Sequence, residues 1–340
     1  MRKIPLVEVS GDYYDIGYQI GEALKSNIKK TIKFPIKIAK EHQYFKIDYF
    51  VEVARKYFPY ANKYFPNLVT ELKGISDGSD QDFDMIWLLN IEEVLIDNYF
   101  DKCTSIVFRE VDDKIYLYHN EDFEKYYSNN MAVVKANVNN KVKFLSLTFA
   151  GMLPGSSVSL NSFGLIQCIN SLHTKDYRLG IPKNFISRAV LEVKNINEAL
   201  KIIKLKYRAS AYNHILIHKN DVVDVETTAV KYKLFSVKDK VFVHTNHYLH
   251  KKFFDNEDLL GSKWRYNSIF DIIKNSKVID KNTFVNILSY HGKDFSVCKH
   301  VSKSISDVTL ASVIVDSSDL KMYIAKGGPC KNKHEVYSLE

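Results

Sequence analysis

The sequence predicts an α+β layered body, with antiparallel sheets packed face to face and helices outside them. Three observations lead there. Residues 1–102 place their apolar side chains mostly at helical spacing. From residue 104 the period changes to the alternation of strands, punctuated by hairpin signals. A helical middle section is then followed by strands again. No Pro/Gly/Ser-rich linker, low-complexity tract or internal repeat divides the chain, so residues 1–340 are expected to form one domain.

After a short opening strand, Asp12 starts a helix in which Ile16, Ile20, Leu24 and Ile28 recur every four residues. Gly17 and Gly21 lie on a neighbouring face of it. Each costs about 1 kcal/mol relative to alanine inside a helix, which close approach of another backbone would offset. Phe65 to Gly78 reads as a helix running into a glycine stop, and Met85 to Leu95 as a further amphipathic helix. Strands are expected at 104–111 and 114–119 around Asp112-Asp113, and at 131–138 and 142–149 around Asn139-Asn140. Another covers 164–170. Helices follow at 183–193 and 196–205, then strands at 214–218, 222–226 and 241–244. Helices at 261–273 and 282–290 precede closing strands at 309–315 and 321–325.

A 340-residue chain that is 46% hydrophobic can bury a large core, which excludes a disordered protein. No run of 18 apolar residues suggests a membrane span, and the apolar stretch after Met1-Arg2-Lys3 is too short for a secretion signal. The expected compartment is the cytoplasm. The four widely spaced cysteines are accordingly expected as free thiols. The formal charge of +8 comes from scattered lysines, without the arginine and aromatic interleaving of a nucleic-acid groove. Neither nucleic acid nor membrane is an expected partner. Lys25, Lys29, Lys33 and Lys37 are spaced to form one helix stripe, either a solvated face or an attraction for a phosphate-bearing donor such as coenzyme A.

Cys103 follows a loop and opens a strand. A papain-type cysteine would open a long helix and depend on a distant histidine, a texture that is missing here. At a strand's beginning, a thiol can use its own main-chain nitrogen once the preceding peptide bond is cut. The new α-amine has a reference pKa of about 7.7–8.0 and can accept the thiol proton near neutral pH. Cys298-x-His300 and Cys330-x-x-x-His334 lack the paired cysteines of a zinc loop, so no metal and no cofactor are expected. Ser156-Ser157 reads as a turn, without the flanking glycines of a serine nucleophile.

The stretches Asp101 to Ser105 and His119-Asn120-Glu121-Asp122-Phe123 resemble the acyl-CoA:6-aminopenicillanic-acid acyltransferase family of N-terminal-nucleophile (Ntn) hydrolases. So do Gly11 to Gly21, Glu71 to Gly78, Leu160 to Asn170, Gly180 to Arg188, Val243 to Leu249, Ser296 to His300 and Gly327 to Cys330. The resemblance implies an αββα four-layer sandwich, cleaved autocatalytically between Lys102 and Cys103 into an α chain of residues 1–102 and a β chain of residues 103–340. It further implies that Cys103 is the nucleophile and that Asp122 orients the new α-amine. Asn246 would donate its side-chain amide, and Asn170 a backbone N–H, to the oxyanion. Lys299 stands where the family commonly has arginine; it keeps the charge but not the bidentate fork. His119 and Asn120 are expected to line the substrate site.

The function so implied is acyl cleavage or transfer through a Cys103 thioester. The donor would be an N-acyl amide or acyl-CoA and the acceptor water or an amine, in an α/β heterodimer, with further homo-oligomerisation left open. The alternatives are a choloylglycine or penicillin V acylase type of hydrolase, and an unprocessed relative that only binds acyl ligands.

Overall fold

The computed structural model describes residues 3–41, 46–95, 103–110, 114–250, 253, 259–293, 295–301 and 307–340. Its elements run β1 (Leu6–Gly11), α1 (Tyr13–Ala23), α2 (Lys25–Thr31), α3 (Lys33–Glu41), α4 (Ile47–Arg55), α5 (Phe58–Tyr64), α6 (Pro66–Ser79), α7 (Phe83–Asn90), α8 (Glu92–Leu95), β2 (Thr104–Arg109) and β3 (Ile115–Glu124). There follow β4 (Met131–Val138), β5 (Val142–Phe149), β6 (Val158–Asn161), β7 (Leu165–Ser171), α9 (Lys183–Val190), α10 (Ile196–Ile203), β8 (Tyr212–His218), β9 (Asp221–Thr227), β10 (Tyr232–Ser236) and β11 (Val241–His244). The last are α11 (Leu260–Asn275), α12 (Lys281–Leu288), β12 (Asp307–Asp316), β13 (Lys321–Lys326) and β14 (Glu335–Ser338).

The strands form two sheets, of order β1-β4-β5-β6-β7-β8-β9-β10 and β11-β2-β3-β12-β13-β14. Strand alternation on β3 shows how they stack. Ile115 and Leu117 join the apolar core shared with the first sheet, whereas Tyr116 and Tyr118 pack with Phe284 and Leu288 of α12 and Ile269 of α11. Helices α1, α6, α9 and α10 lie with the first sheet, so the layers read α, β, β, α as expected. Among the described strands every pairing is antiparallel except β1 with β4. The Asn139-Asn140 hairpin forms as expected, both residues taking the left-handed conformation (φ 50° and 54°) of a tight turn.

The expected close approach of helices is present where α1 crosses α6. A side chain at Gly17 would meet the Glu71 carbonyl oxygen at 2.0 Å, and one at Gly78 the Tyr18 carbonyl oxygen at 2.1 Å. Asp12 opens α1 with a capping box closed by Asp15.

Three expectations are corrected. The helix expected to run from Asp12 through Ile28 breaks at Leu24, and another break at Ile32 separates α2 from α3, so no single helix carries the lysine stripe. Lys25 pairs with Asp80, and Lys37 with Glu124 and Glu41, which engages two of the four charges locally. The helix expected over 85–95 is two, divided at Ile91. Strands β6, β10 and β14 were not foreseen, each being four or five residues long. The Asp112-Asp113 turn and Lys102 lie outside the described residues.

Candidate active site

Cys103 lies one residue before β2. Because Thr104 pairs with Asn120, Cys103 comes alongside Glu121 of β3, and Cys103 Sγ stands 3.3 Å from Glu121 Oε1. Both side chains face the space between the sheets and are almost wholly buried. The other Glu121 oxygen, Oε2, lies 3.2 Å from His119 Nε2 and accepts from Ser157 Oγ. One carboxylate is thus shared by a thiol, an imidazole and a hydroxyl.

His119 Nδ1 lies 2.9 Å from Ser105 Oγ and 3.2 Å from Cys168 Sγ. The single Ser105 proton goes to Asn170 Oδ1 at 2.8 Å, so the imidazole is the donor to Ser105. Burial by itself would lower the His119 pKa, but Cys168, Cys103 and Glu121 outweigh it and hold the group well above the usual histidine range. Asn170 Nδ2 is buried without a hydrogen-bond partner among the described residues. An unspent buried donor costs about 1–3 kcal/mol, which makes it conspicuous in a cluster otherwise satisfied.

Arg265 of α11 ties Cys103 to Asn246, the expected oxyanion donor. Its Nη1 donates to the Cys103 carbonyl at 2.5 Å and to Thr104 Oγ1 at 2.7 Å, while Nη2 donates to Asn246 Oδ1 at 2.9 Å. A guanidinium only donates, so it fixes which way the Asn246 amide points. Asn246 Nδ2 is thereby turned toward the end of β7, where it donates to Ser171 O at 3.1 Å. Burial lowers the Arg265 pKa, opposed by Asp122, Cys103 and Asp307.

Asp122 and Asn120 point to the opposite face of β3 from Glu121. Asp122 accepts from Thr309 Oγ1 at 2.6 Å, and its second oxygen lies 3.3 Å from Lys299 Nζ. Burial raises its pKa, and Lys299, Arg265 and Thr309 pull it back. Thr309 Oγ1 also accepts from the Lys299 N–H at 2.8 Å, so strand, threonine and lysine close a ring of contacts around the carboxylate. The Asn120 amide donates to Leu288 O at 2.9 Å and Val297 O at 3.0 Å, clamping the end of α12 to the segment that carries Lys299.

The expected residues therefore separate into two groups about β3. Cys103, His119 and Asn170 gather between the sheets. Asp122, Lys299 and Asn120 gather on the helix side, and Arg265 connects Asn246 to the Cys103 main chain. Glu121, Arg265, Ser157 and Cys168 were not foreseen. Glu121 had a visible signal, since it stands two residues from His119 on a strand; Arg265, 162 positions from Cys103, had none.

A model of the family described as "Acyl-coenzyme A:6-aminopenicillanic acid acyl-transferase" matches residues 108–331, most of the chain. The chain belongs to this family. Cys103 lies just before the matched stretch. The beta-alanyl-dopamine/carcinine hydrolase of Drosophila melanogaster is 26% identical over 224 residues, covering 60% of this chain and 58% of that relative. Among solved structures, a mutant of conjugated bile acid hydrolase from Clostridium perfringens is similar at TM-score 0.47 and 15% identity, over 69% of this chain and 96% of that one. Penicillin V acylase from Agrobacterium tumefaciens is similar at TM-score 0.42 and 8% identity, over 66% and 83% of the two chains. Among the described residues no helix is long and apolar enough to cross a membrane.

Proposed function

We propose that this member of the acyltransferase family is a self-processing cysteine amidohydrolase or N-acyltransferase with Cys103 as its nucleophile. The observation that carries the reading is the Arg265 fork, which joins the Cys103 carbonyl to Asn246 across 162 and 19 positions of sequence. A merely structural cysteine needs no such link to an amide donor.

Before cleavage Cys103 has no α-amine, so the first proton must go elsewhere. Glu121, 3.3 Å from the thiol, is placed to take it. The thiolate attacks the Lys102 carbonyl carbon, the C–N bond breaks as the departing Cys103 nitrogen is protonated, and water hydrolyses the resulting thioester. The products are a Lys102 carboxylate and a Cys103 that carries both a thiol and an α-amine. In turnover that amine takes the thiol proton, and a substrate acyl group passes to sulfur and then to water or an amine. Asn246 and Asn170 are the donors assigned to the oxyanion, with Arg265 positioning Asn246. Asp122, held with Lys299 on the far face of β3, is assigned the charge balance of the new α-ammonium.

The substrates assigned are small non-peptide amides or acyl thioesters. The family description supports the acyl-CoA side, and the name of the relative, a beta-alanyl-dopamine/carcinine hydrolase, supports the amide side. The four cysteines, none of them in a disulfide, support a reducing cytoplasmic compartment. Intact-mass measurement tests the reading. Wild type should give two chains ending at Lys102 and starting at Cys103, and Cys103→Ala one chain of 340 residues; an uncut wild type would refute self-processing and favour the binding-only alternative.

A further inference from the structure

We propose that His291, Cys298, His300 and Cys330 form a closed tetrahedral site for one zinc-type divalent ion. Their four ligand atoms all lie within 4.8 Å of one another. Cys298 Sγ and Cys330 Sγ are 3.5 Å apart, and His300 Nε2 lies 3.8 Å from the first and 3.1 Å from the second. Around tetrahedral zinc, with Zn–S about 2.3 Å and Zn–N about 2.0–2.1 Å, ligand atoms stand roughly 3.4–3.8 Å apart. The observed spacings bracket that range. They are far from a disulfide, whose sulfurs bond at about 2.05 Å.

The backbone builds the cluster from two distant stretches. Tyr290 O accepts from the N–H groups of Val297 and Cys298, and His291 bridges to Ser296, so Tyr290 and His291 lie against Ser296 to Cys298 and His291 comes beside His300, the rings 5.1 Å apart. Cys330 arrives from the turn after β13. Gly328 lets that turn lie flat over the donors, since a side chain there would meet Cys298 Sγ at 2.6 Å and His300 Cε1 at 3.2 Å. The sequence pairing of Cys330 with His334 is thereby replaced: His291 supplies the fourth ligand. Two thiolates with two neutral imidazoles balance a divalent ion, and binding releases the thiol protons to solvent. Four protein ligands leave no open position, which is the pattern of a structural site.

The consequence lies next door. Lys299 stands between two of the ligands and pairs with Asp122, so a bound ion would pin the segment that delivers this lysine to the candidate active site.

The test is metal analysis of the untagged full-length protein purified with zinc present. One zinc per molecule is expected in wild type and in Cys103→Ala, with at least a tenfold loss in Cys298→Ser and in Cys330→Ser. His291→Ala should weaken retention at least tenfold in competition with a chelator. Independently of any variant, cobalt loaded in place of zinc should show thiolate charge-transfer absorption and the intense visible bands of tetrahedral coordination. Metal-free wild type with Cys298 and Cys330 recovered as a disulfide or as unprotected thiols would overturn the proposal. So would full zinc retention in both cysteine variants, or an octahedral cobalt spectrum.

Discussion

At the scale of single residues, the site depends on a carboxylate and a guanidinium placed on either side of one cysteine. Glu121 contacts the thiol and Arg265 the carbonyl of the same residue, so the two can be separated experimentally. Glu121→Gln keeps the shape but cannot accept the proton; self-cleavage should slow by about 10²–10⁴-fold, followed as conversion of precursor to two chains over time. A variant that processes at the wild-type rate would remove Glu121 as the base. Arg265→Lys retains charge but cannot bridge Cys103 O and Asn246 Oδ1 together. In material that has processed, kcat should fall roughly 10²-fold with KM little changed, approaching the loss of one oxyanion donor. Steady-state kinetics on a family substrate would check this, and an equal loss carried entirely in KM would argue for a binding role. Cys103, Asn246 and Asp122 are candidates that the sequence offers by itself, because short patterns carry them. Glu121 was passed over because its neighbour Asp122 fitted the family pattern, and only the facing of β3 shows that Glu121 is the one at the thiol.

Among elements, the crossing of α1 on α6 is the most tightly constrained. Alanine should favour an isolated helix over glycine by about 1 kcal/mol. At Gly17, however, the added methyl would sit 2.0 Å from a backbone oxygen that cannot rotate away. Gly17→Ala is therefore expected to destabilise, by at least about 1–3 kcal/mol, with a lower denaturant midpoint and an unchanged slope. An unchanged or raised midpoint would mean that the helices part without penalty. The helix and strand order was readable from periodicity, and the Asn139-Asn140 turn from its residue types. The helix breaks at Leu24 and Ile32 were not, because apolar spacing runs through them. β6, β10 and β14 are too short to establish a period of their own.

At the scale of the whole molecule, the space between the sheets holds a polar row as well as an apolar core. Register places Ser105 beside both His119 and His244, and Asn170 beside Asn213, which in turn pairs with Glu226. Far along this row, Asp224 is fully buried and its pKa is pushed up to about 7, by burial above all, with His244 and Asn213 only partly opposing it. A carboxyl whose folded pKa exceeds its unfolded value binds more protons when folded. Its contribution to stability is therefore lost as pH rises from about 4 to about 7. His244, raised above the usual histidine value against the effect of burial by Glu226, Asp224 and the Thr245 carbonyl, loses its stabilising contribution as pH climbs further. Asp224→Asn should flatten the fall in stability between about pH 4 and pH 7 while leaving the decline above it. Denaturant midpoints across that range would show this, and a slope identical to wild type would refute it. By itself the sequence determined the order and kind of most elements and the family, and it proposed a nucleophile, since these rest on local periodicity and short motifs. Only the tertiary structure decided that Glu121 and Arg265 converge on Cys103, that Asp122 stands behind the strand, and that His291 joins Cys298, His300 and Cys330. Side-chain facing across two stacked sheets depends on register and on which layers meet, and neither is encoded within any one stretch of chain.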